Sequence, residues 1–138
     1  MFLLDTNVIS EVRKGGRSDP NVSGWYAGVS ESNLFVSSLT VGEIRKGIEL
    51  ARQRNDIDQA ESLEAWLQRV IEGFSGRILN VDAQVADSWG QISAIRPIPV
   101  IDGLLAATAM VHDLTLVTRN VSDVEGLGVR VLNPFSAR

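Results

Sequence analysis

The stretch MFLLDTNVIS (residues 1–10) starts apolar and then stops on a carboxylate, Asp5, followed at once by Thr6 and Asn7. A short unalternating apolar run reads as a strand buried on both faces, the kind found in parallel sheets. A carboxylate closing such a strand is costly to desolvate unless something pairs with it. Asp5 is therefore the first candidate for a functional residue. Its plain alternative is an Asx-type turn, made with Asn7, that leads into a first helix.

The remainder of the chain alternates in the same style. Strand-like runs fall at residues 2–4, 34–38 (LFVSS), 76–81 (GRILNV), 114–118 (LTLVT) and 129–133 (VRVLN). Helical patterns occupy 8–13, 20–29, 40–54, 56–72, 82–95 and 101–112. Val41, Ile44, Ile48 and Ala51 recur at helical spacing, as do Ala60, Leu63, Leu67 and Val70. Pro97 and Pro99 bar helix continuation, so a loop delivers the chain to Asp102. Strands alternating with helices predict an α/β domain with a mostly parallel sheet. In such sheets ligands bind beyond the carboxyl ends of the strands, which is where Asp5 sits.

At 138 residues, with 44% hydrophobic and 22% charged side chains, one domain over 1–138 with a real core is expected. The absence of cysteine excludes disulfides, zinc–thiolate sites and thiol catalysis. The first residues lack the basic and long apolar regions of a secretory signal. The richest apolar stretch, residues 100–111, contains Asp102 and is too short to span a bilayer. A cytoplasmic protein without membrane contact is the expectation. The net charge of −4 argues against a protein that coats nucleic acid, but not against a nuclease. Cations bound among carboxylates would cancel the local charge before a phosphate arrived. Of 13 basic residues only Lys14 and Lys46 are lysines, and arginine's planar fork suits phosphate and carboxylate.

Asp5, Glu43, Asp102 and Asp123 each have a structural alternative. Thr40 and Glu43 have the spacing of a capping box. Asp102 opens a helix, as an N-cap or as a first-turn acid favoured by the dipole. Asp123, in NVSDVEG, suits the cap of a short turn. Asp82 belongs to the same local type and is read as a cap only. As a set the four are harder to set aside, because all lie at the carboxyl edge of the predicted sheet. Oxygen-only ligands suit Mg²⁺ or Mn²⁺, and without a cation crowded carboxylates raise one another's pKa values.

Four motifs in this order, LLDTNVIS, SSLTVGEIRKGI, IDGLLAATAMVHDLTLVTRN and GVRVLNPF, resemble the PIN-domain ribonucleases. The likeness runs from residue 2 to about 135. It points to the VapC toxins of bacterial type II toxin–antitoxin modules, including the FitB-like branch. The resemblance implies a five-stranded parallel sheet in the order 3-2-1-4-5, flanked by helices, with strands one and four adjacent. It also implies a Mg²⁺- or Mn²⁺-dependent RNA endonuclease, an RNA substrate, a cognate VapB-like antitoxin and a homodimer that assembles further with that antitoxin. By motif, Asp5, Glu43 and Asp102 match the core acids. Many members carry an acid where this chain has Asn120, and Asp123 is the substitute, with Thr6, Asn7, Thr118 and Asn120 in support.

Around this set, Arg45, Lys46 and Arg119 are candidates for RNA or antitoxin contact, against the alternative of a solvated surface. Arg13, Lys14 and Arg17, beside Gly15 and Gly16, form a second basic group. His112 reads as an ordinary helix-end residue, and Trp25, Trp66 and Trp89 as packing residues. Two rival functions stay open. One is a PIN-like interaction module without catalysis. The other is a phosphotransfer domain with Asp5 as nucleophile, opposed by Asn7 and by the absence of Lys beyond Lys46.

Overall fold

The computed structural model describes residues 1–136. Five parallel strands form the sheet: β1 (Phe2–Leu4), β2 (Leu34–Ser37), β3 (Ile78–Leu79), β4 (Thr115–Val117) and β5 (Val131–Leu132). Their order is β3-β2-β1-β4-β5, as the resemblance implied. The helices are α1 (Thr6–Arg13), α2 (Pro20–Ala27), α3 (Ser38–Gln53), α4 (Ile57–Gly73), α5 (Ala83–Ser93), α6 (Val100–Val111) and α7 (Val121–Val124). Among the described residues no helix is long and apolar enough to cross a membrane.

The first strand shows why its apolar run does not alternate. Leu3 and Leu4 are both fully buried, yet they belong to different cores. Leu4 packs with Val8, Trp25, Ile44 and Ile48, under α1 to α4. Leu3 packs with Val85, Ile92, Leu105 and Leu116, under α5 and α6. Burying one such leucine stabilises by roughly 1.5–3 kcal/mol, so the central strand is anchored from both sides. The apolar face of α4 (Ala60, Leu67, Val70) joins the first core, which accounts for its amphipathic pattern.

Element bounds differ from the expectation where caps decide them. The third strand has two residues instead of six, because Gly76 turns with φ +79. Next to it, the Arg77 guanidinium donates to the carbonyls of Glu31, Leu34 and Gly73. The helix expected from residue 40 begins at Ser38, since the buried Ser37 hydroxyl accepts from Leu39 N at 3.0 Å. Asp82 caps α5 through Val85 N at 2.9 Å, as expected.

The tryptophans pack. Trp25 meets Phe2 edge-on at 5.2 Å, Trp66 carries the Arg13 guanidinium at 5.1 Å, and Trp89 lies against Gly103. Arg13 also bonds Ser62 and Lys14 pairs with Glu11, so two members of the second basic group are engaged within the chain. His112 is the exposed C-cap residue of α6.

Candidate active site

Parallel register builds the site around Asp5. Leu4 pairs with Val117, so the next residues, Asp5 and Thr118, leave the sheet side by side. The Asp5 backbone N–H still donates to Val117 O at 2.9 Å, and its carbonyl accepts from Val8 N at 3.0 Å as the N-cap of α1. Its side chain makes no cap bond. The Thr118 hydroxyl donates to Asp5 Oδ2 at 2.7 Å, and Asn7 Nδ2 donates to the same atom at 3.3 Å. The Asn7 contact keeps part of the expected Asx geometry, and the backbone of Thr6 and Asn7 favours the charged form of the carboxylate. Asp5 is 6% exposed, and burial pushes its carboxyl above the ordinary value, against the pull of the Thr118 bond.

Thr6 ties in the second acid. Its hydroxyl donates to Glu43 Oε1 at 2.7 Å and lies 3.0 Å from the hydroxyl of Thr40, which is fully buried. Because α3 starts at Ser38, Glu43 stands in the second turn of the helix and the capping box is absent. The spacing of Thr40 and Glu43 instead puts both on one helix face, toward α1. The structural alternative for Glu43 therefore fails.

Asp102 is the third residue of α6, whose cap position is Pro99, so it is a first-turn acid and not an N-cap. Its carboxyl is pushed up to about 6, first by burial, then by the charge of Asp5 and by the adjacent Asp123, while Asn120 pulls it back. Asp123 lies in the first turn of α7, whose cap position, Asn120, makes no side-chain cap bond. Asn120 N donates to Thr118 Oγ1 at 3.0 Å, so one threonine supports both sides of the site.

Asp5, Glu43, Asp102 and Asn120, with Thr6, Asn7 and Ser10, line a cleft of about 410 Å³ at the carboxyl edge of the sheet. Lys46 lies beyond Glu43 in an adjoining groove that shares Glu43 and Ile101 with the cleft. Arg45 does not join them. It pairs with Glu64 of α4 at 2.8 Å, because adjacent helix positions face different ways. Arg119 also turns aside and stacks on Phe135 at 4.6 Å, consistent with strand alternation after the inward Thr118. Thr40 and Ser10 are site residues that the sequence reading missed. The Thr40–Glu43 spacing was the available signal, and it fits a cap equally well.

Among the described residues, Asp5, Asp102 and Asp123 have no Lys or Arg ion-pair partner. A cluster of carboxylates that lacks a cation fits a hard divalent ion in donor chemistry, since every candidate donor is oxygen. Among the described residues no three acidic or imidazole groups converge on one ion position.

Comparison with known proteins gives the family. Residues 2–122 match the family described as PIN domain. The chain is 37% identical to the toxin FitB of Neisseria gonorrhoeae over 145 aligned positions, covering 98% of this chain and 99% of that protein. It is 34% identical to the VapC ribonuclease Y4jK of Sinorhizobium fredii over 142 positions, covering 98% of each. The solved structure of FitAB bound to an IR36 DNA fragment superposes with a TM-score of 0.81 at 33% identity, covering 100% of this chain and 98% of that one. The chain belongs to the PIN-domain family.

Proposed function

We propose that this chain is a divalent-metal-dependent RNA endonuclease and the toxin of a toxin–antitoxin pair, acting in the cytoplasm. The observation that carries the reading is the buried, cation-free Asp5, set on the central strand against Asp102 and supported by Thr118. The similarity to a toxin and a VapC ribonuclease along nearly the whole chain supports the same reading. The similarity to FitAB supports a partner protein, which we take to be a VapB-like antitoxin.

In this reading Asp5 and Asp102 hold Mg²⁺ or Mn²⁺, with Asp123 as the fourth acid. When bound, such an ion lowers the pKa of water to make a nucleophile and steadies charge on the phosphate and the leaving oxygen. Thr118 fixes the rotamer of Asp5 and, by donating to Oδ2, favours its charged form against the effect of burial. Thr6 occupies Oε1 of Glu43 and so leaves Oε2 as the acceptor that orients the attacking water. Lys46, in the adjoining groove, offers a cation to a flanking phosphate. Nothing in this scheme uses His112.

Calorimetric titration with Mn²⁺ tests the metal site directly. The native chain is expected to bind, and folded Asp5→Asn to lose binding. A native chain that binds no Mn²⁺ would leave the non-catalytic interaction module as the better account.

A further inference from the structure

Arg96 lies between α5 and the two prolines that lead into α6, and its guanidinium reaches across to α7. Nη2 donates to Glu125 O at 2.7 Å, to Asp123 O at 3.3 Å and to Ser122 O at 3.5 Å, while Nη1 donates to Pro97 O at 3.4 Å. One side chain therefore joins the connection that delivers Asp102 to the segment that carries Asp123. The joint matters because α7 has only four residues. A helix that short does not hold itself, and its last carbonyls lack partners of their own. Arg96 supplies partners for Ser122 and Asp123 and for Glu125 just past the helix.

The contacts are also selective. All four are to backbone carbonyls, and no ion pair forms between Arg96 and the Asp123 carboxylate. The guanidinium holds the segment and leaves the acid's charge uncompensated. A planar fork with five donors spans several carbonyls at once, which a lysine ammonium does not.

We infer that Arg96 is the positioning residue for Asp123, fixing the fourth acid of the site relative to Asp102 through the carbonyls of α7. The inference rests on the metal-site reading above. Residues that orient metal ligands typically change affinity by about 10–100-fold when removed.

The test is a double-mutant cycle read by Mn²⁺ calorimetry, with circular dichroism to show that each variant is folded. Arg96→Met is expected to weaken Mn²⁺ binding by on the order of tenfold. Arg96→Lys, which keeps the charge but not the fork, is expected to stay close to Arg96→Met. On an Asp123→Asn background, Arg96→Met should add no further loss, because the residue acts only through that acid. A purely structural arginine would lower the melting temperature and leave Mn²⁺ affinity unchanged. Loss in Asp123→Asn with none in folded Arg96→Met overturns the inference and leaves the metal site standing. Native affinity in Asp123→Asn overturns the fourth-acid assignment itself, and the inference with it. If Arg96→Met fails to fold, Arg96→Lys enters the same cycle and the same comparison decides.

Discussion

Replacing Asp102 by asparagine should separate function from stability in opposite directions. The Asp102 carboxyl is raised from 3.8 to about 6 by burial and by the charges of Asp5 and Asp123. In full that displacement corresponds to about 3 kcal/mol against folding. Asp102 is only partly buried on an open cleft, and screening reduces the figure to about 1.5 kcal/mol. A first-turn acid gains roughly 0.5 kcal/mol from the helix dipole, which asparagine forfeits. The net gain for metal-free Asp102→Asn is therefore about 1 kcal/mol, with no cap bond lost. Because the folded value is the higher one, the penalty on the native chain is complete above about 6, fades as pH falls toward 3.8, and is absent below that. Urea unfolding in chelator should show the gain at about pH 8 and most of it gone by about pH 4. Added Mg²⁺ should then stabilise the native chain and not the variant. Destabilisation of Asp102→Asn at the higher pH, or an equal effect at both, would refute the account of crowded carboxylates.

The other predictions concern packing and support. Thr118→Val removes the 2.7 Å bond to Asp5 and leaves a buried carboxylate with less support, so a loss of about 1.5–3 kcal/mol in urea unfolding is expected. Thr118→Ser should restore most of it, and native stability in Thr118→Val would show that the bond contributes little. Gly103→Ala places a Cβ 2.7 Å from Ile98 Cδ1 and 3.1 Å from Trp89, beside Asp102. Overpacking there should cost about 1–3 kcal/mol, and an unchanged melting temperature would show that the Trp89 contact yields freely.

The sequence carries the fold because its signals agree. The unalternating run at Leu3 and Leu4 marks a strand with a core on each face, and the two prolines before Asp102 mark the start of the central helix. Asp5 stood out as a candidate because a carboxylate closing a buried strand is costly without a partner, whereas Asp102, a first-turn acid of α6, keeps the structural use that its position also offered. Glu43 was ambiguous because spacing of three fits both a capping box and a helix face, and the choice was made by Ser37, three residues before the expected start. Arg45 and Arg119 lie outside the cleft because nearness along the chain is not nearness in space, and each turns to a neighbour, Glu64 or Phe135. Thr6 with Thr40, and Arg96 with α7, are pairings across 34 and about 27 residues that no local pattern announces.

The central claim is that these carboxylates serve RNA hydrolysis through a bound divalent ion. Its most direct test is cleavage of RNA by the purified chain with Mg²⁺ or Mn²⁺, with EDTA, and with folded Asp5→Asn in place of the native protein. The account predicts cleavage in the first case and none in the other two. Undiminished cleavage in EDTA, or by Asp5→Asn, would contradict it.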